Sequence, residues 1–145
     1  MKISTRGRYG IKLMCDLAGH SKSDCITLSS IAERQNISVR YLEQVAIILR
    51  RSGFIRSIKG ASGGYALLKD PSEIIVGDLL WALEGDMLVA DPPPLSGETS
   101  IASCVRRMVY DPLNECVSDL INKISLSDLM KSVLDDDITG DMYFI

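Results

Sequence analysis

Apolar residues recur along this chain with the spacing of short amphipathic helices, interrupted once by two short strand-like stretches. Gly10, Leu13, Met14, Leu17 and Ala18 fall on one stripe and predict a first helix that Ser4 or Thr5 can cap. Leu28, Ile31 and Ala32 share a face in a second helix, with Thr27 at its start and Asn36 as its stop. Ser38 opens a third, along which Leu42, Val45, Ala46 and Leu49 recur at i, i+3, i+4 and i+7. Ile55-Arg56-Ser57-Ile58 and Tyr65-Ala66-Leu67-Leu68 then read as strands, joined by Lys59-Gly60-Ala61-Ser62-Gly63-Gly64. After Pro71, the residues Val76, Leu79, Leu80 and Leu83 make another inner stripe, with Trp81 beside it read as core and Gly85 as the stop. Ile101, Val105, Met108, Pro112, Leu113, Cys116, Val117, Leu120 and Ile124 recur at near-heptad spacing, the pattern of a helix that pairs with a copy of itself. Asp111-Pro112 interrupts it. A proline inside a helix costs on the order of 3 kcal/mol, so a kink or a fresh start capped by Asp111 is expected. Ser125 and Asp128 make a capping-box-like start for a last helix running to about Leu134.

The polar positions give these elements a use. Only a sharp turn separates the second and third helices, so they must cross steeply, as in a helix-turn-helix. The outer face of the third carries Arg40, Glu43, Gln44 and Arg51. Gln44 can pair with adenine in bidentate fashion, Arg40 with guanine or phosphate, and Glu43 can accept from a cytosine amino group. Ile47 fits this stripe poorly and is equally suited to a thymine methyl or to packing on the hairpin. In the hairpin loop, Gly60, Gly63 and Gly64 permit positive φ and bring amides near an anion, while Arg56 and Lys59 supply charge, which makes it a wing. Thr5, Arg6, Arg8 and Tyr9 lie at the first turn of the first helix, where free amides and the helix dipole favour phosphate, so a backbone clamp is expected there. Each feature alone has a bland reading as core helix, turn or solvated helix start. Their order points to nucleic acid.

Charge distribution sharpens this reading. The net charge is −3, yet residues 1–70 hold twelve Lys/Arg against five Asp/Glu, and residues 71–145 hold four against fourteen. The front half (+7) attracts a polyanion and the rear half (−10) does not. A length of 145 residues and 46% hydrophobic content suit one ordinary domain with an appended element. No apolar run approaches the ~20 residues of a membrane span, and Lys2, Arg6, Arg8 and Lys12 interrupt any leader-like start, so a cytoplasmic protein is expected. Cys15, Cys25, Cys104 and Cys116 lack CxxC spacing and suit reduced thiols. With His20 as the only histidine, a dyad with a second histidine and a multi-histidine metal site are excluded, and no enzyme is expected. His20 reads as an ordinary loop residue. Cys25, on a loop expected to be exposed in the basic half, is either an inert thiol or a redox candidate whose pKa nearby cations could lower.

Ser4-Thr5-Arg6-Gly7-Arg8-Tyr9-Gly10, Leu28-Ser29-Ser30-Ile31-Ala32, Ile37-Ser38-Val39-Arg40-Tyr41-Leu42-Glu43-Gln44 and Lys59-Gly60-Ala61-Ser62-Gly63-Gly64-Tyr65 together resemble the Rrf2 family of bacterial winged-helix transcription regulators. The likeness is close over about the first 85 residues. It implies a homodimer on a partly palindromic operator in double-stranded DNA, with Ser38, Arg40, Tyr41, Glu43 and Gln44 in the major groove. Lys59, Gly60, Ser62 and Gly63 would approach the minor groove. Iron–sulfur and nitric-oxide sensors of the family, the IscR and NsrR types, carry a cysteine cluster between the winged domain and the long helix. Here only Cys104 matches, and Arg107 stands where a histidine would help, so no iron–sulfur cluster and no other cofactor is expected. The acidic tail ends in Met142, Tyr143, Phe144 and Ile145, like the CymR-type repressors of cysteine metabolism. Those associate by such a tail with the cysteine synthase O-acetylserine sulfhydrylase, and some carry a thiol near the position of Cys25. A tail folded back on its own dimer is the equal alternative.

The expected fold is mainly α with a small β-hairpin: a winged helix-turn-helix over 1–85, a stiff linker over 86–100 containing Pro92-Pro93-Pro94, dimerisation helices over 101–134, and a tail over 135–145. The expected function is a repressor of cysteine or sulfur metabolism genes, the alternative an iron–sulfur, redox or nitric-oxide sensor of the same family.

Overall fold

The computed structural model describes residues 1–20, 25–92 and 96–142. Helix α1 (Thr5–Gly19) starts at Ser4, whose side chain accepts from the Gly7 amide. It buries Leu13, Met14 and Leu17. Helices α2 (Leu28–Gln35) and α3 (Val39–Arg51) are capped by Thr27 and Ser38. Between them, Asn36 turns the chain in the left-handed region at φ 52°, a conformation asparagine tolerates better than most residues. Leu42, Val45, Ala46 and Leu49 are fully enclosed against α1 and α2, so the expected helix-turn-helix is built from its apolar stripes.

Strands β1 (Ile55–Ile58) and β2 (Gly64–Leu67) pair antiparallel, with Ile55 opposite Leu67 and Ile58 opposite Gly64. Ile26 adds a bridge to Tyr65 through two hydrogen bonds of 2.7 and 2.8 Å, which ties the wing to the residue before the Thr27 cap. A 3₁₀ turn, Pro71–Glu73, leads to α4 (Val76–Glu84). α4 lies close against α1 because Gly10 leaves room for Leu83; a side chain at Gly10 would collide with it. Trp81 is half-buried and outside both core clusters, a correction to its expected place in the core.

The rear of the chain departs most from expectation. Helix α5 (Ser100–Val105) passes into a π-helical turn, Arg106–Tyr110, and then into α6 (Asp111–Lys123). Asp111 caps nothing and no fresh start occurs. The turn widens instead, and the Asp111 amide bonds to the Arg106 carbonyl. The linker before α5 is pinned: Asn114 exchanges two hydrogen bonds with the Val89 backbone, and Arg106 reaches Glu98 and the Asp91 carbonyl. Pro92 lies among the described residues, but Pro93 and Pro94 lie outside them. The capping box at Ser125 and Asp128 is present. Helix α7 (Leu126–Met142) then returns to α1 and passes through Asp135–Asp137 without a break, so the last helix is longer than the expected end near Leu134. Leu126 is wholly buried, and its amide bonds to the Ile74 carbonyl at 2.8 Å.

Candidate nucleic-acid interface

The outward face of α3 is polar because its inward face has used the apolar residues. Ser38, Arg40, Glu43, Gln44 and Arg51 are exposed there, and Ile47 remains 42% exposed. Among the described residues, Arg6, Arg8, Arg40, Arg51, Arg56 and Lys59 form no ion pair. The Ser38 hydroxyl accepts from the Tyr41 amide at 3.2 Å, so its free role is limited by its cap. Tyr41 is half-buried and meets Tyr9 edge-on, with ring centroids 5.2 Å apart. That contact places α1 beside the first turn of α3. Lys12 sits over the Tyr9 ring at 5.9 Å.

The start of α1 differs from the expected phosphate cradle. The Glu84 carboxylate Oε1 accepts from the Ser4 amide (3.1 Å), the Ser4 hydroxyl (2.6 Å) and the Gly7 amide (2.9 Å). An internal carboxylate therefore already occupies the site that the helix dipole offers an anion. Arg6 and Arg8 stay exposed, and Arg8 donates to the Thr5 hydroxyl at 3.1 Å. The Ser4 and Gly7 amides are thus committed within the chain.

In the wing, Gly60 adopts φ 115°, and the Gly63 amide bonds to the Gly60 carbonyl at 3.0 Å, which closes the tip. Lys59, Gly60 and Ser62 are exposed and Gly63 half-buried. Cys25 is half-buried rather than exposed. Its thiol donates to the Ser62 carbonyl at 2.9 Å, which ties it to the wing backbone. Cys15 is a different thiol. Burial, with the adjacent Asp16 charge, pushes it up to about 11, and it stays protonated.

Sequence reasoning overlooked the anchor beneath this surface. Asp16 is buried, and its carboxylate accepts from Arg34 Nη2 (2.6 Å), Arg34 Nε (3.0 Å) and Gln35 Nε2 (2.9 Å). Burial pushes the Asp16 carboxyl up, but the hydrogen bonds from Arg34 and Gln35 and the Arg34 charge outweigh it and hold it below the usual range. The bidentate pair locks α2 onto α1, and so sets the angle at which α3 is presented. A carboxylate at the edge of the apolar stripe, about one turn after Leu13, was the available signal. His20, expected as a loop residue, follows α1 and places Nδ1 2.8 Å from the Asp16 carbonyl.

Farther back, Ile101, Cys104, Met108, Leu113, Cys116 and Leu120 are all exposed on the α5–α6 arm. Cys116 thus stands outside both core clusters of the described residues. Arg107 is exposed, and among the described residues no three His, Cys, Asp or Glu side chains gather as a metal would need. No described helix is long and apolar enough to cross a membrane. Met142 ends α7, while Tyr143, Phe144 and Ile145 lie outside the described residues.

Residues 3–132 match the model of the Rrf2 family, described as an iron-dependent transcriptional regulator. The chain belongs to the Rrf2 family. The HTH-type transcriptional regulator IscR of Serratia proteamaculans is 35% identical over 132 residues, covering 91% of this chain and 80% of that protein. The structure of CymR, the global cysteine regulator of B. subtilis, superposes with a TM-score of 0.80 at 33% identity, over 91% of this chain and 98% of that one. The oxidized form of Staphylococcus aureus CymR does so at 0.70 and 39% identity, over 90% and 96%. The protein is thus a DNA-binding transcription regulator of the Rrf2 family, IscR-like and CymR-like. The family match takes in the wing, the arm and the start of α7, and leaves most of the acidic stretch beyond it.

Proposed function

We propose that this Rrf2 regulator is a homodimeric repressor of cysteine or sulfur metabolism genes in the cytoplasm. It would bind a partly palindromic operator by placing Ser38, Arg40, Tyr41, Glu43 and Gln44 in the major groove and the Lys59–Gly63 tip near the minor groove. Thr5, Arg6, Arg8, Tyr9 and Arg51 would contact the backbone. The observation that carries the reading is the exposed row Arg40–Gln44–Arg51 beside the wing's Lys59, none of these cations in an ion pair among the described residues. The likeness to a global cysteine regulator supports the choice of regulon.

A resident iron–sulfur cluster does not fit the donors in one chain. Such a cluster needs four side-chain ligands, and Cys104 and Cys116 stand on the arm without a third His, Cys, Asp or Glu grouped with them among the described residues. Regulation would run through a partner, the cysteine synthase O-acetylserine sulfhydrylase, held by Met142, Tyr143, Phe144 and Ile145. Oxidation of the Cys25 thiol, which touches the wing, is a second input. Iron–sulfur sensing remains the rival reading, favoured by the likeness to IscR. Visible absorption after anaerobic purification would establish that rival, while a colourless protein that still binds its operator would remove it.

The decisive experiment selects duplexes from a random pool and measures binding by fluorescence anisotropy. If some six phosphates are neutralised, affinity falls by about 10³-fold or more between 50 and 200 mM salt. The paired change Arg40→Ala and Gln44→Ala should abolish preference for the selected sequence. A flat salt response would sink the reading. A pull-down of the synthase by the intact chain, lost when the last four residues are removed, tests the tail.

A further inference from the structure

The exposed stripe of the α5–α6 arm reads apolar, cysteine, apolar in both directions from its wide turn. Met108 and Leu113 stand equally far from the Tyr110–Asp111 peptide, as do Ile101 and Leu120, and the distances of Cys104 and Cys116 differ by a single residue. All six are exposed. The π-helical turn at Arg106–Tyr110 takes up one residue more than an α-helical turn, which brings the two halves onto one line. At roughly 100° per residue, the same rephasing sets Arg107 and Glu115 on one flank, with Cys104 and Cys116 toward that flank of the stripe. Arg107 and Glu115 are exposed, and neither forms an ion pair among the described residues.

A surface that reads the same in both directions fits a second copy of itself run antiparallel. A two-fold axis through the wide turn lays Met108 against the partner's Leu113 and Ile101 against the partner's Leu120. It also keeps each flank on its own side of the seam, so Arg107 meets the partner's Glu115 with opposite charge. A parallel pair would send the two copies of this flank to opposite sides and set each cysteine against its own copy. Packed helices lie about 8–10 Å apart with each Cα about 2.3 Å from its axis, so Cys104 and the partner's Cys116 have Cα atoms about 5–7 Å apart even with the one-residue stagger. A disulfide spans about 4.4–6.8 Å between Cα atoms. Within one chain the two cysteines lie about 16–18 Å apart along the arm, beyond any bridge. We propose that in the antiparallel homodimer Cys104 and the partner subunit's Cys116 form a dithiol pair, twice per dimer, that closes to a disulfide by exchange with a small-molecule disulfide. This rests on the homodimer proposed above. One thiolate of the pair attacks the small disulfide and expels one thiol; the other attacks the protein sulfur of that mixed disulfide and expels the second. One S–S bond forms between protomers as one breaks in the reagent, the protein thiols lose two electrons to it, and their two protons leave with the two released thiols. Two thiols are half of what an iron–sulfur cluster needs and all that a disulfide needs. Both pairs lie at the rim of the seam, within reach of a small reagent. The closed bond holds two recognition helices together at concentrations where the reduced dimer would part.

The test treats the full reduced chain with oxidised glutathione, blocks the remaining thiols, and reads non-reducing electrophoresis together with mass spectrometry of the linked peptides. A covalent dimer should form and carry the Cys104–Cys116 linkage between protomers. Cys104→Ser and Cys116→Ser should each lose it, because every pair then lacks one sulfur. Produced together in one cell, the two variants should regain it, since a mixed dimer restores one complete pair; that rescue also shows that both variants fold and associate. The site is overturned if the links join Cys104 to Cys104 or Cys116 to Cys116, or if either single variant cross-links as wild type does. It is equally overturned if the co-produced variants stay unlinked, or if the thiols gather only glutathione adducts. Sedimentation of the reduced chain separates the two readings. A monomer removes the proposed homodimer and this site with it, whereas a dimer without the linkage removes this site alone. A linked dimer with no preference for any selected duplex leaves the site standing and removes only the operator reading proposed above.

Discussion

Asp16 shows how a single side chain can hold a domain in register. It sits on the inner side of α1 between Cys15 and Leu17, where an unpaired carboxylate would be costly, and Arg34 and Gln35 from α2 satisfy it. Because its pKa is lowered in the folded protein, its stabilisation is complete above the ordinary value of 3.8 and is lost as pH falls below that toward the folded value. Asp16→Asn should therefore destabilise the protein at neutral pH by about 1–3 kcal/mol, toward the modest end because Arg34 is partly solvated. Urea denaturation should show the gap between wild type and variant closing as pH drops below about 4. A constant gap across that range would show that packing, not charge, sets the effect. The Asp16 anchor was legible only in part, since the sequence sets a carboxylate beside the apolar stripe, about one turn after Leu13. Glu84 was not. It closes the start of α1 from 80 residues away, and no local pattern announces such a partner. Glu84→Ala should cost about 1 kcal/mol, the usual price of a lost helix cap, and should speed amide exchange at Gly7 first.

At the scale of elements, the α5–α6 arm explains why near-heptad spacing survives a proline. At roughly 100° per residue, an unbroken α-helix would set Leu113 and Leu120 about a third of a turn away from Ile101 and Met108. The π-helical turn at Arg106–Tyr110 takes up one extra residue. This rephasing returns Ile101, Cys104, Met108, Leu113, Cys116 and Leu120 to one exposed stripe, while Ile121 turns inward and is buried against the body. Pro112, which has no amide hydrogen to give, follows directly on the wide turn, where the regular i→i−4 ladder is already interrupted. The periodicity was legible; the wide turn was not, because sequence spacing does not record how many residues one turn contains. Pro112→Ala frees the arm to return to a regular α-helix and turn its two halves apart. The expected result is unchanged or higher helicity by circular dichroism with weaker self-association by sedimentation. Tighter association would mean that the rephased stripe is not the seam.

For the whole molecule, the same stripe is the missing half of the argument for DNA binding. Helices α1 to α3 and the wing were legible nearly residue by residue, because each buries its own apolar face within about sixty residues of chain. The arm buries only part of itself: Met108 is 63% exposed and Leu120 60%, in positions a regulator reading a palindrome would cover with a second copy. Leu113→Glu with Leu120→Glu places two carboxylates on that face. Both sites are exposed in the single chain, so the fold of each protomer should change little, by about 0.5 kcal/mol or less per site. Sedimentation should nevertheless report a monomer, and melting should lose its dependence on protein concentration. Affinity for a selected duplex should fall by about 10²-fold or more, because two linked recognition helices become two independent ones. Binding to a half-site duplex, which engages one protomer in either case, should be preserved. A variant that remains dimeric with full affinity would move the seam elsewhere on the molecule, and α7, with Val133, Leu134 and Ile138 still exposed, is where it would next be sought.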